Sequence, residues 1–223
     1  GASIYFEHPF DSLQDEHLIA GITGYELHLR YFILAQRFAG FPYAFHAVGS
    51  SMAVTAEAYM KQGGMNRRQA GEDFHFLHKI IPLGRFREIN RTRVIPSPRI
   101  SDRVPFGTGR AMRQWEEQQG QFPTYPPRAF EDLKVLLNSA DRLISLRTTE
   151  LKSWVDQLPA SIREFSKKEN MIDQIHSIRQ ETSGRGAFRD KFFHWFNGLK
   201  LLRFVHHARD RYYGTVPVTE AYH

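Results

Sequence analysis

Gly49-Ser50-Ser51-Met52-Ala53-Val54, followed by Tyr59 to Gly63-Gly64 and then by Gly71-Glu72-Asp73-Phe74, is the segment on which the reading of this chain turns. A glycine followed by two serines reads as a turn at a strand edge, where backbone N–H groups and small hydroxyls face a polar ligand. Met52-Ala53-Val54 reads as a short apolar strand. Thr55 is placed to cap a short helix over Ala56 to Gln62, which Gly63-Gly64 ends with a tight reversal. Gly71 then delivers Glu72 and Asp73 to the start of a second helix, running to about Ile81 and stopped by Pro82 and Gly84. Two carboxylates there have a plain structural value of about 0.3–1 kcal/mol each, from the helix macrodipole. Neighbouring helical residues diverge by about 100°. Only one of the pair can therefore aim squarely into a cleft, while the other braces the loop.

Outward from this segment, residues 1–10 read as extended, with β-prone Ile4, Tyr5 and Phe6 running into His8-Pro9. A long helix follows from about Asp15 to Ala39, because Leu18, Ile22, Tyr25, Leu29, Phe32 and Ile33 recur at helical spacing and Gly40 terminates it. Phe41 to Val48 is apolar and aromatic and reads as a buried strand. Beyond the second helix, residues 85–89 and 92–95 read as two short strands, Pro96 to Gly109 as a long loop and Ala111 to Gln119 as a helix. Gln121 to Arg128 holds three prolines and reads as a linker. After it the helical period dominates, over Phe130 to Ala140, Leu143 to Val155, Ser161 to Arg179 and Ala187 to Arg211. The expected fold class is α/β, a partial sheet with flanking helices, followed by a mainly helical region and helix-rich overall. The expected boundaries are 1–119, a Pro-rich linker at 120–128 and a helical region at 129–223.

Composition narrows the function classes. The 223 residues are 41% apolar and 13% aromatic, which supports a packed core and argues against disorder. With no cysteine there is no disulfide framework, thiolate metal site or cysteine nucleophile, and a reducing compartment fits. The most apolar window, Tyr31 to Gly49, contains Gln36, Arg37 and His46, so no membrane span is expected. Glu7 interrupts the start before any apolar run forms, so no signal peptide is expected either. The formal charge of +6 is concentrated between Arg67 and Arg110, where ten basic residues, nine of them Arg, face four acidic ones. Arg grips phosphate or carboxylate with a planar fork, so this window points to anion docking, with a solvated face of local ion pairs as the bland alternative.

The series GSSMAV, a short helix, GGM, a short loop and GEDF resembles the second half of a family 2 glycosyltransferase with the GT-A fold, over roughly residues 45–110. The resemblance implies inverting transfer from a nucleotide-sugar donor to a hydroxyl of a saccharide or lipid-linked acceptor. Asp73 takes the position of the general base and Glu72 stands beside it as the second catalytic candidate. The substrate-binding candidates are Gly49, Ser50 and Ser51, with Arg99, Asp102, Arg103 and Arg110 in the loop around Gly107 and Gly109 to meet the diphosphate. The family also implies a divalent metal, Mg or Mn, held by Asp-x-Asp, and this chain contains no Asp-x-Asp. It shows no strand–helix alternation before the long helix either. The chain thus reads as the acceptor-side half alone, and the isolated fragment is expected to be inactive. Processive members carry Gln-x-x-Arg-Trp, whereas this chain has Arg113-Gln114-Trp115, which implies non-processive transfer.

Other readings of the residues were weaker. His75 and His78 lie three apart, with Glu72 three before His75, but no third ligand presents itself and no metal site is expected in this chain. Gly107-Thr108-Gly109 lacks the third glycine of a dinucleotide fingerprint, and neither Ser50 nor Ser51 sits in Gly-x-Ser-x-Gly. The alternatives are a basic nucleic-acid-binding module, favoured by the pI of 9.6, and a helical protein-interaction module on residues 129–223. No nucleic-acid motif is present, so nucleic acid is not an expected partner. The aromatic and basic run over residues 187–213 reads as core or as a membrane-surface face, so the expected location is cytoplasmic, with peripheral association at the inner face of the membrane.

Overall fold

The computed structural model describes residues 1–10, 15–66, 71–97, 108–117 and 120–222. It is helix-rich, with 62% helix, eleven α-helices and a small three-stranded mixed sheet among the described residues. None of the described helices is long and apolar enough to cross a membrane. Packing divides the chain into two units, one of residues Gly1–Ile33, Phe45–Thr124 and Pro217–His223, the other of Leu34–Ala44 and Tyr125–Val216. The division is not serial, as boundaries at 1–119 and 129–223 would have it. Residues 34–44 join the later helices, and the last residues return to the first unit.

In the first unit β1 (Ala2–Phe6) is the central strand, antiparallel to β2 (Met52–Ala53) and parallel to β3 (Arg87–Val94). Ser3 pairs with Met52, and Ile4 with Ile89. Between Ile4 and Tyr5 the register jumps, so that Tyr5 pairs with Arg93 and Phe6 with Val94. The two strands expected at 85–89 and 92–95 are therefore one strand that steps over an irregularity. A bulge absorbs the extra residues without ending the pairing.

The long helix, α1 (Glu16–Phe38), begins where the Asp15 carboxylate accepts the N–H groups of His17 at 3.0 Å and Leu18 at 3.2 Å. Its glycines let neighbours approach the backbone closely. A Cβ on Gly21 would lie 2.6 Å from Met112 and 2.9 Å from Trp115, both on α4 (Thr108–Glu117), and one on Gly24 would lie 3.0 Å from Phe122. The segment Phe41 to Val48 is not a strand. Gly40 has a φ of 81°, and the Ala44 carbonyl accepts the Arg37 guanidinium at 3.2 Å in place of a ladder partner. Phe41 and Ala44 are buried all the same, so burial without a ladder produced the apolar pattern.

One buried polar network holds β1 to α1. Glu26 accepts the His8 backbone N–H at 2.9 Å and lies 2.8 Å from the His8 ring Nδ1. Arg30 donates to the other carboxylate oxygen and, at 2.8 Å, to the Phe6 carbonyl. Burial pushes the Glu26 carboxyl upward, but the bonds from His8 and Arg30 hold it below its ordinary value.

The second unit contains α5 (Pro127–Asn138), α6 (Ala140–Leu143), α7 (Thr148–Asp156), α8 (Ala160–Lys168), α9 (Met171–Glu181), α10 (Arg185–Trp195) and α11 (Gly198–Ala208), then a π-helical turn at Arg209–Tyr213. Two of the long helices expected here are broken. Asn170, with a φ of 50°, separates α8 from α9. The Asn197 side chain caps α11 by accepting the Lys200 N–H at 3.1 Å, which separates it from α10. Phe188, Phe192, Phe193, Phe196 and Phe204 are all buried. The phenylalanines of the run 187–213 are thus core of this unit.

Two stability outcomes follow for the first unit. Glu26→Ala strands the His8 and Arg30 donors inside the fold and should cost about 3–5 kcal/mol, read by chemical denaturation. Glu26 contributes its stability above the unfolded pKa and loses it as pH falls through its lowered folded value. Burial also drives His28 from 6.5 to about 4, and burial with the neighbouring His75 does the same for His78. Both rings stay neutral in the fold while the unfolded chain takes up protons, so stability should be full above about pH 6.5 and decline toward pH 4. His28→Gln should flatten that decline in a melting-temperature series, because the amide still bonds the Thr124 hydroxyl, now 2.8 Å from Nδ1, and does not titrate.

Candidate functional site

The site grows from two glycines. Gly71, with a φ of 72°, is the residue before α3 (Glu72–Ile80) and turns the chain so that Glu72 and Asp73 open the first helical turn. Gly49 opens a 3-10 turn, Gly49–Ser51, that leads directly into β2. The Asp73 carboxylate joins them: one oxygen accepts the Gly49 N–H at 2.8 Å, the other its neighbour Phe74's N–H at 2.7 Å. A Cβ on Gly49 would lie 2.7 Å from the Asp73 carboxylate oxygen, closer than any real side chain sits, so this contact requires glycine. The two motifs quoted from the sequence therefore meet in space.

The helix between them sets the spacing. Thr55 caps α2 (Ala56–Lys61) by accepting the Ala58 N–H at 3.3 Å. Gly63 and Gly64, with φ of 71° and 69°, reverse the chain after it. Tyr59 of α2 rests against Phe76 of α3 with ring centroids 5.4 Å apart, and a Cβ on Gly64 would press on the Tyr59 ring at 3.1 Å. The Gly-Gly pair thus lets α2 fold back against α3.

The remaining candidates separate. Ser50 is exposed, but Ser51 is buried, and its Oγ has no hydrogen-bond partner among the described residues. Of the two serines of this turn, Ser50 is therefore the one open to solvent. Glu72 is half-buried next to Asp73 in the same turn. Arg110 lies exposed in the first turn of α4. Arg99, Asp102 and Arg103 lie outside the described residues. His78 packs on Phe74 with ring centroids 4.2 Å apart, and no group of three His, Cys, Asp or Glu is placed to hold a metal ion among the described residues. The described residues thus offer no three-ligand set for the divalent metal that the family resemblance implies.

Tyr25 is a neighbour that the sequence did not reveal. Burial first, and then the Asp73 carboxylate, push its hydroxyl up to about 12. On its other side it meets Phe122, with ring centroids 6.0 Å apart. In the sequence it is one position of an ordinary helical stripe, and no local signal marks it.

Set against protein-family models, curated proteins and solved structures, the chain matches none. The functional reading rests on residues 45–110 and their geometry. Gly49→Ala should drive the Asp73 side chain off the turn and lower stability by about 1–3 kcal/mol, whereas Ser50→Ala should leave stability within about 0.5 kcal/mol, both read by thermal or chemical denaturation.

Proposed function

We propose that this chain is the acceptor-side part of an inverting, non-processive glycosyltransferase of the family 2 type, acting on a nucleotide-sugar donor and an acceptor hydroxyl. The observation that carries the reading is the Asp73–Gly49 contact. It brings the two motifs of the resemblance together around one carboxylate, with an exposed serine hydroxyl, Ser50, in the same turn. The mixed β2-β1-β3 sheet with flanking helices supports the same reading.

The chemistry follows from the carboxylate's surroundings. Two backbone N–H groups fix its orientation, and each oxygen keeps a lone pair for a further bond. Asp73 takes the proton from the acceptor hydroxyl as that oxygen attacks the anomeric carbon. The bond from that carbon to the diphosphate oxygen breaks, and the nucleotide diphosphate leaves with the electron pair. One displacement inverts the centre. Arg99, Arg103 and Arg110 are the cations proposed to meet the departing charge, and no step is assigned to a metal.

Asparagine separates the two roles of Asp73. In the full-length protein Asp73→Asn keeps an oxygen for the Gly49 N–H but removes the base, so kcat for sugar transfer should fall by about 10²–10⁴-fold with the melting temperature unchanged. Asp73→Ala should lose both transfer and stability. Wild-type turnover by the asparagine variant, measured with a panel of labelled nucleotide sugars, would overturn the assignment.

A further inference from the structure

The first unit also holds a hollow between α1, α4 and the C-terminal segment. It has a volume of about 430 Å³ and is walled by Leu27 and neighbouring residues of α1, by Trp115 of α4, and by Gln121, Phe122, Val218 and Glu220. Asp73, Gly49, Ser50, Glu72 and Arg110 take no part in its wall. The volume is in the range of small-ligand sites.

The composition of the wall selects its ligand. Leu27, Trp115, Phe122 and Val218 give it an apolar and aromatic side. Gln121 and Glu220, both exposed, give it a polar rim that accepts and donates hydrogen bonds. Among the described residues of the wall, Glu220 is the one that carries a charge. A carboxylate there disfavours phosphate and accepts hydroxyl donors. A neutral polyol with one apolar face meets all three features: its C–H face lies on the aromatic wall and its hydroxyls donate to Glu220 and bond Gln121. A pyranose has that form.

The hollow is also rigidly built. Glycine at positions 21 and 24 of α1 lets Trp115 and Phe122 seat against the helix backbone, and the Val218 N–H donates to the Phe122 carbonyl at 2.8 Å, which ties the returning C-terminal segment to the wall. Tyr25 packs on Phe122 with ring centroids 6.0 Å apart and adds to the aromatic support of the wall.

We infer that this cleft binds a neutral saccharide segment at a distance from the reacting hydroxyl, a recognition site separate from the one at Asp73. The choice of a saccharide among neutral ligands rests on the transferase reading. Calorimetric titration of the protein with neutral tri- and tetrasaccharides of glucose, galactose, mannose and N-acetylglucosamine, with uridine diphosphate as the anionic control, tests it. At least one saccharide should bind saturably. Glu220→Gln and Thr23→Leu, both at exposed rim positions, should each weaken binding about tenfold without changing the melting temperature. Trp115→Leu should abolish binding, and Asp73→Asn should leave it unchanged. Absence of binding by every saccharide, or binding indifferent to the two rim variants, overturns the inference. So does binding lost in Asp73→Asn, which would place the sugar at the transfer site. Rim-dependent binding in a protein that transfers no sugar supports the cleft and removes the transferase reading alone. Asp73-dependent transfer without rim-dependent binding does the reverse.

Discussion

The buried carboxylate of Glu26 is the constraint on which the first unit hangs. It gathers the backbone and ring of His8 and the guanidinium of Arg30, and Arg30 in turn holds the Phe6 carbonyl. These bonds fix the end of β1 on α1. Because β1 is the middle strand, β2 and β3 take their places from it. Ser3 sets Met52, and Met52 follows directly on the turn that begins at Gly49. The position of the Asp73 site therefore descends, one covalent or hydrogen-bonded step at a time, from a glutamate that touches none of its residues. A buried ion cluster of this kind adds little net stability, yet losing one member is expensive, so it specifies where β1 lies more than it strengthens the fold.

What the sequence disclosed and what it hid divide by distance along the chain. The Thr55 cap, the Gly63-Gly64 reversal, Gly71 before α3 and the limits of α1 are all local, each needing only neighbours within about a turn to act. Glu26 was illegible for the opposite reason. Four residues before Arg30, it has the spacing of a solvated surface pair, and only His8, 18 residues away, makes it buried. The segment 41–48 misled because an apolar run records burial and not hydrogen bonding; the Arg37 side chain replaced the missing strand partner. The breaks at Asn170 and Asn197 are single polar residues inside patterns that otherwise keep the helical period. The return of residues 217–222 to the first unit leaves no trace in composition at all.

The candidate site was half legible on the same principle. The pairing of Gly49 with Asp73 is foreshadowed by glycine at a place where a carboxylate must approach to 2.8 Å, although the partner itself is 24 residues away. The distinction between Ser50 and Ser51 is invisible in sequence, since one faces solvent and the other faces the core of the same tight turn. Tyr25 is hidden more thoroughly. It obeys the apolar period of α1, and only the folded structure shows that this position meets a phenyl ring and feels the charge of Asp73.

Charge sorts the first unit into two chemical neighbourhoods. In sequence, residues 67 to 110 carry the chain's excess of arginine, while the described residues of the cleft between α1, α4 and the C-terminal segment include one carboxylate and no cation. The proposed function would use that separation, because a nucleotide-sugar donor is strongly anionic and a glycan acceptor is largely neutral. A cationic acceptor pocket would hold donor or product in the wrong place, and an anionic donor pocket would reject the diphosphate.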